Sequence, residues 1–227
     1  MYKFVYLNKL KPMLQAVITG DIVNSTKLPA TDEKRLLKLL EQILADHKHE
    51  FFRGDSFQAY IKDAGAALKI ALQCRTAAIG LQPDEYPSIA DVRVSIGIGG
   101  VESPVRTLAT AKGEAFLLSG RALDDMLKTE GRLIIITENK VANLTYALMS
   151  DYINSIYRHM TPKQAEVIIE LLRGSTQQQV AEKLNRSKST ISQHVTAGRW
   201  DEIENILNKY HQTLQLVSYD DRSNIAS

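Results

Sequence analysis

The stretch Thr176-Gln177-Gln178-Gln179-Val180-Ala181-Glu182-Lys183-Leu184-Asn185-Arg186-Ser187 predicts a helix, a tight turn and the start of a second helix. Thr176 and Gln179 have the spacing of a capping box, in which each side chain accepts a backbone N–H at the helix start. The predicted inward positions of the first helix are Val180, Ala181 and Leu184. Ser187 is a suitable N-cap for the second helix, which we expect to span Lys188 to Ala197.

A further helix is predicted before this pair. Thr161-Pro162-Lys163-Gln164 combines an N-cap, a proline at the first helical position and a second capping-box spacing. Gly174 is placed to end that helix, because glycine readily takes the left-handed conformation of a C-terminal cap. Two short helices joined by a tight turn can project the second helix into the major groove of DNA.

The outer side of this unit is predicted to carry basic and hydrogen-bonding side chains. Gln193 suits a bidentate contact with adenine, and Lys188 suits guanine or a phosphate. Between Gly174 and Arg199, four basic residues stand against the single acidic Glu182, which is a modest basic patch. The expected DNA contacts are Thr176, Lys183, Arg186, Lys188, Ser189, Ser192, Gln193, Thr196 and Arg199. The alternative interpretation is a protein-interaction adaptor whose polar face is simply solvated.

The segment from Leu171 to Leu184, followed by Ser189-Thr190-Ile191-Ser192, resembles the helix-turn-helix of LuxR-type and sigma-region-4-type regulators. The resemblance implies double-stranded DNA as the ligand and a homodimer as the working form. It does not identify the operator.

The residues before this unit mix strand and helix patterns. The strand patterns lie at 2–7, 14–23, 50–53, 56–61, 92–98 and 133–137, and the helical ones after Thr31 and at 64–81 and 113–128. This order predicts an α+β domain, with helices covering one face of a mainly antiparallel sheet. We therefore divide the chain into this domain (1–143), a connecting helix (144–160), the helix-turn-helix domain (161–217) and a polar tail (218–227). In the connecting helix, apolar spacing is carried by Leu148, Tyr152, Ile156 and His159.

Two aspartates in the first domain are candidate metal ligands. Asp21 follows a predicted strand, and Asp55 lies in the Gly54-Asp55 turn of a predicted hairpin beside it. With the Ile22 carbonyl, the two carboxylates would suit Mg²⁺, a hard cation that bridges phosphates. The loop residues expected to offer backbone N–H groups to phosphate are Asn24, Ser25 and Thr26. The alternative is that both aspartates are ordinary strand-end and turn residues.

The same residues resemble those of the class III nucleotidyl cyclase homology domain. There, an Asp-Ile pair after the first strand and a Gly-Asp hairpin carry the metal ligands, which implies a ferredoxin-like sheet, a nucleotide or phosphate ligand and a dimer. By this match Arg121 is retained as a phosphate-binding arginine, while Leu117 stands at the family's asparagine position. The base-reading positions fall at Phe51 and Thr110. These departures argue against cyclisation activity, while the residues for a metal–phosphate site are retained.

The start Val17-Ile18-Thr19-Gly20-Asp21-Ile22-Val23-Asn24-Ser25 also resembles the SatD family, which joins such a region to a carboxyl-terminal helix-turn-helix.

The 227 residues contain one cysteine, Cys74, so an intramolecular disulfide is excluded and we expect a buried, inert thiol. No run of 18 apolar residues is present, and we expect no membrane span and a cytoplasmic location. The sequence thus predicts a dimeric transcriptional regulator, with a magnesium-dependent nucleotide-binding or cyclase-type enzyme as the alternative.

Overall fold

A computed structural model of the chain describes residues 14–52, 54–81 and 90–223, with side chains up to residue 217. The predicted strand at 2–7 lies outside these residues. The elements follow in the order β1 Gln15–Ile22, α1 Ala30–Leu44, β2 Lys48–Phe52, β3 Ser56–Ile61, α2 Ala67–Gly80, β4 Val92–Gly99, α3 Glu114–Met126, β5 Leu133–Ile136, α4 Lys140–Arg158, α5 Pro162–Leu172, α6 Gln177–Lys183, α7 Lys188–Ala197 and α8 Trp200–Ser223.

The five strands form one sheet in the order β2-β3-β1-β4-β5. β1 lies at the centre, antiparallel to β3 on one side and to β4 on the other, and β5 adds in parallel to β4. The predicted mixed α+β fold with a mainly antiparallel sheet is therefore confirmed. Gly54 takes a positive φ of 86° in the β2–β3 hairpin, a conformation that glycine adopts at little cost.

Helices cover both faces of this sheet, so the prediction of a single covered face was wrong. Ile18 lies in the core cluster that includes α1 and α2, whereas the Thr19 side chain points to the opposite face. There its hydroxyl hydrogen-bonds the Ser119 hydroxyl of α3 at 3.0 Å. Gly97 allows this approach, because a Cβ there would lie 2.3 Å from the Ala115 carbonyl oxygen. Small residues at this contact therefore allow α3 to pack closely on the sheet. Such residues do not contribute to a hydrophobic periodicity, so the sequence pattern did not predict this packing.

α4 begins earlier than predicted and presents a different face to the core. Its first turn starts at Lys140, where the Asn139 side chain accepts the N–H groups of Val141 and Ala142. The buried side of α4 carries Ala142, Tyr146, Met149, Ile153, Ile156 and Tyr157. Of the four residues predicted to carry the apolar spacing, Ile156 is buried, His159 is exposed, and Leu148 and Tyr152 are 72% and 44% exposed. α4 therefore has a second apolar face that the described part of the molecule does not cover.

The carboxyl-terminal helices pack directly on the sheet-bearing part. α2 contacts α5, α4 contacts β5 and α8, and one continuous core cluster includes residues from both parts. The buried Arg75 guanidinium of α2 also contacts both parts of the chain. It donates to both carboxylate oxygens of Asp91 (3.1 and 2.7 Å) and to the Asn154 side chain of α4 (3.0 Å). It also lies over the Tyr157 ring, 4.6 Å from its centroid. No local sequence pattern indicated this cluster of buried polar side chains.

The last helix extends past the predicted end of the helix-turn-helix domain at residue 217. α8 continues to Ser223 and thus into the segment predicted as a polar tail from residue 218. Among the described residues, none of the helices combines the length and the apolar composition needed to cross a bilayer.

Candidate functional site

α7 presents a continuous polar face to solvent. Ile191 and Val195 are buried beneath it at 0% and 5% exposure, as predicted. Five of the expected DNA contacts lie on the exposed side of the helix, namely Lys188, Ser189, Ser192, Gln193 and Thr196. α7 packs against α5, α6 and α8, so its polar face is not covered by the sheet-bearing part of the described chain. The outward orientation of these side chains is confirmed.

Local capping fixes where α6 and α7 begin. Thr176 accepts the Gln179 N–H at 3.3 Å while the Gln179 side chain accepts the Thr176 N–H at 2.8 Å, which is the predicted capping box. Thr161 and Gln164 form the same arrangement at the start of α5. The Ser187 hydroxyl accepts the Thr190 N–H at 3.1 Å and starts α7. The turn before α7 contains Asn185 with a φ of 49°, in the left-handed region that asparagine tolerates.

Three of the expected DNA contacts already have partners in the protein. The Lys183 ammonium lies 2.7 Å from the carboxylate of Glu170, a buried residue of α5 that also pairs with Arg173 at 2.6 Å. Arg199 pairs with Glu202 and lies over the Tyr152 ring of α4. The Thr176 hydroxyl is occupied by its cap. The sequence did not reveal these pairs, because the acidic partners lie outside the segment in which charge was counted.

The free basic groups near α7 are therefore fewer than the sequence suggested. Arg186, in the turn, and Lys188, in the first turn of α7, are exposed and have no ion-pair partner among the described side chains. Ser189, Ser192 and Gln193 continue the same exposed surface along the helix. This surface combines two unpaired cations with uncharged donors and acceptors. Groups of these types bind phosphate and the edges of base pairs.

Asp21 and Asp55 are brought together at one end of the sheet. Asp21 is paired with Ser56 across β1 and β3, and the Ile22 N–H donates to the Asp55 carbonyl at 2.9 Å. The Ser25 hydroxyl donates to the Asp55 carboxylate at 3.0 Å. The predicted neighbourhood of the two aspartates is present, with Ser25 beside them. The metal and phosphate roles of these residues remain predictions.

Arg93 of β4 is the neighbour that the sequence did not reveal. It lies opposite Asp21 in the β1–β4 ladder, and its guanidinium is 2.9 Å from one Asp21 carboxylate oxygen. The other oxygen, Oδ1, is buried without a hydrogen-bond partner. Burial raises the pKa of Asp21, against the opposing effect of Arg93, and the nearby Asp55 raises it further. An unpartnered, partly desolvated carboxylate oxygen beside a second carboxylate fits a cation, but Arg93 already supplies positive charge there.

The remaining candidates for phosphate binding are spread out. Asn24 is exposed with a φ of 57°, and Thr26 is exposed in the short 3-10 turn Ser25–Lys27 that follows. Arg121 is an exposed residue of α3, on the sheet face that also carries Asp21 and Arg93. No described group of three or more His, Cys, Asp or Glu side chains is arranged to hold a metal ion. A cation at Asp21 and Asp55 would thus need further ligands from backbone, water or a bound phosphate.

Comparison with solved structures finds cyclase domains among the similar chains. No family model matches the chain, including any for SatD or for a helix-turn-helix, and no curated protein matches it. A bacterial light-regulated adenylyl cyclase is 16% identical with a TM-score of 0.38, over 54% of this chain and 75% of that one. The active GGEEF domain of a diguanylate cyclase from Vibrio cholerae is 14% identical with a TM-score of 0.38, over 56% of this chain and 85% of that one. A likeness this distant carries no conclusion about site residues or activity.

Proposed function

We propose that this protein is a DNA-binding transcriptional regulator of the cytoplasm, working as a homodimer and contacting the major groove with the exposed face of α7. The observation that carries the proposal is that face itself. It projects unpaired basic groups and uncharged hydrogen-bonding groups from a helix whose start and buried side are fixed by caps and by Ile191 and Val195. The sheet-bearing part would sense a ligand and transmit its binding through α4.

The residues divide into two roles. Arg186 and Lys188 bind phosphate oxygens and set the position of α7, while Ser189, Ser192, Gln193 and Thr196 face the base edges. Lys183 and Arg199 contribute less, because their carboxylate partners compete with phosphate. An adaptor function is the alternative for this face, and it predicts no salt-dependent binding to duplex DNA.

The test is a mobility-shift or anisotropy measurement with genomic fragments over a range of salt. Replacing both Arg186 and Lys188 by alanine should weaken binding to all sequences and lower the slope of log K against log salt by ~0.9 per lost phosphate contact. Gln193→Ala should instead weaken the preferred sequence more than others, by about 1–3 kcal/mol.

The matched control is Lys38→Ala, which removes an exposed lysine from α1 and should change neither the affinity nor the slope. If the unaltered protein binds no duplex fragment at low salt, the regulator hypothesis is wrong and the adaptor interpretation is favoured.

A second candidate function is Mg²⁺-dependent binding of a nucleotide or other phosphate compound at Asp21 and Asp55, with or without turnover. The observation that favours it is the buried, unpartnered Oδ1 of Asp21 beside the hydroxyl-bound carboxylate of Asp55. Turnover is tested by product analysis after incubation with ATP or GTP and Mg²⁺. Absence of product at saturating nucleotide would leave at most a binding site.

A further inference from the structure

The second apolar face of α4 is a continuous stripe. Val141, Leu144 and Leu148 are 74%, 71% and 72% exposed, and Tyr152 continues the stripe at 44%. Their spacings of three, four and four place all of them on one side of the helix, over a length of roughly 16 Å at ~1.5 Å per residue. This side is distinct from the buried side that carries Tyr146, Met149 and Ile153. Repeats of three and four are typical of a helix that packs on another helix.

Val141, Leu148 and Tyr152 of the stripe also form part of the α4 wall of a groove between α4 and α8. Its volume is about 630 Å³, and its walls are formed mainly by apolar groups such as Leu148, Met149, Ile206, Leu216 and Val217. Lys209 is the one charged residue among the described lining residues. Leu216 is itself 69% exposed on the α8 wall. Leu144 does not line the groove and forms an apolar ridge next to it.

We infer that this surface binds a second copy of the same chain, with the Leu144 ridge of each copy seated in the α4–α8 groove of the other. A two-fold interface requires one surface to carry both a projection and its complementary recess, and this surface carries both. The inference deepens the proposed function, on which it rests for the requirement that the working form be a dimer.

The extent of the surface also fits another copy. The four stripe residues and Leu216 are 44–74% exposed, and together they supply part of the ~800 Å² that each partner buries in a standard specific interface. The groove walls are available for the remainder. The stripe is a helix-length feature almost free of charge, which suits an apolar helix and not a nucleic acid. Because α8 forms one wall of the groove and also packs on α7, pairing here fixes the two α7 helices relative to each other.

The test uses sedimentation velocity of the full chain over a wide concentration range. The unaltered protein should be a dimer, and the double variant Leu144→Asp with Leu148→Asp should be a monomer, its dimer dissociation constant raised ~100-fold or more because two apolar groups would be replaced by charges. Leu216→Asp alters the opposite wall of the groove and should also weaken the dimer. Leu127→Asp, a 52%-exposed leucine at the end of α3, is the matched control and should leave the dimer intact.

Each outcome decides the inference. A monomeric unaltered protein overturns it, and so does a dimer that survives all three interface substitutions in folded protein, judged by circular dichroism. The exposed positions keep the variants foldable, and Leu216→Asp stands in if the α4 double variant does not fold.

DNA binding separates the two proposals. If the α4 variants become monomers but no form binds DNA, the interface holds and the regulator proposal fails; if α7 variants lose DNA yet remain dimers, both hold.

Discussion

The two oxygens of the Asp21 carboxylate lie in different environments. One oxygen accepts a hydrogen bond from the Arg93 guanidinium at 2.9 Å, and the other is buried without a hydrogen-bond partner. A metal ion bound at Oδ1 would lie close to a guanidinium, and the two positive charges would repel each other. We therefore expect Arg93 to lower the affinity of Asp21 and Asp55 for a metal ion. The resemblance to cyclases rests on the two aspartates and does not include this effect.

We predict that Arg93→Gln strengthens Mg²⁺ binding and that Asp55→Asn abolishes it. Binding should weaken as the pH falls. The pKa of Asp21 is raised by burial, so this carboxyl takes up a proton at a higher pH than an ordinary aspartate, and the proton competes with the metal. Because the pKa of Asp21 is higher in the folded than in the unfolded protein, the protonated carboxyl stabilises the fold. This contribution to stability is fully present below the unfolded-state pKa and is lost as the pH rises through the folded-state pKa.

The measurement is the change in melting temperature on addition of MgCl₂, with and without ATP, at several pH values. Asp46→Asn, an exposed aspartate after α1, serves as the control. If Mg²⁺ has no effect on any variant at any pH, the two aspartates are ordinary strand-end and turn residues.

At the scale of elements, the carboxyl-terminal helices depend on their caps more than on their length. α6 has only seven residues, and isolated helices so short are unstable in water. Its start is stabilised by two reciprocal hydrogen bonds between Thr176 and Gln179. Because α6 packs on α7, the position of the exposed α7 face depends on this cap.

We predict that Thr176→Ala lowers the free energy of unfolding by about 1 kcal/mol, since it leaves backbone N–H groups without an acceptor. Thr176→Ser keeps the hydroxyl and should retain most of that stability. Urea denaturation followed by circular dichroism gives the comparison. Equal stability of the alanine and serine variants would contradict the role assigned to the cap.

The elements also show what the sequence could and could not predict. Signals that lie within a few residues, such as both capping boxes and Gly54 in its hairpin, gave the correct element starts and turns. Pairings over long separations did not follow from local pattern: Asp21 with Arg93 depends on strand register, and Lys183 with Glu170 depends on how two helices cross. α4 shows the same limit, because a helix with two apolar faces does not reveal which one is buried.

At the scale of the whole molecule, the two parts of the chain share one core. α5 packs on α2, and Arg75 joins α2, the start of β4 and α4 through buried contacts. An interface of this kind couples the stability of the parts on either side. The division into separate domains at residues 143 and 161 remains a prediction, and the continuous packing argues for joint unfolding.

We predict a single cooperative unfolding transition. The chain has one cysteine and one tryptophan, Cys74 in α2 and Trp200 at the start of α8, and these report on the two parts separately. Burial raises the pKa of the Cys74 thiol to about 12, so the native protein should not react with maleimide at pH 7–9. Cys74 labelling and Trp200 fluorescence should follow the same urea curve. Two separated curves would show independently stable parts.

One long-range contact bears on how the protein is made. The Tyr210 hydroxyl of α8 donates to the Ala64 carbonyl at 2.8 Å, across 146 positions of sequence, in the turn that precedes α2. Translation must therefore proceed through residue 210 before this backbone oxygen meets its donor. Until then the Ala64 carbonyl and the apolar surface of α2 that the later helices cover stay exposed on the nascent chain, and exposed apolar surface of this kind favours aggregation.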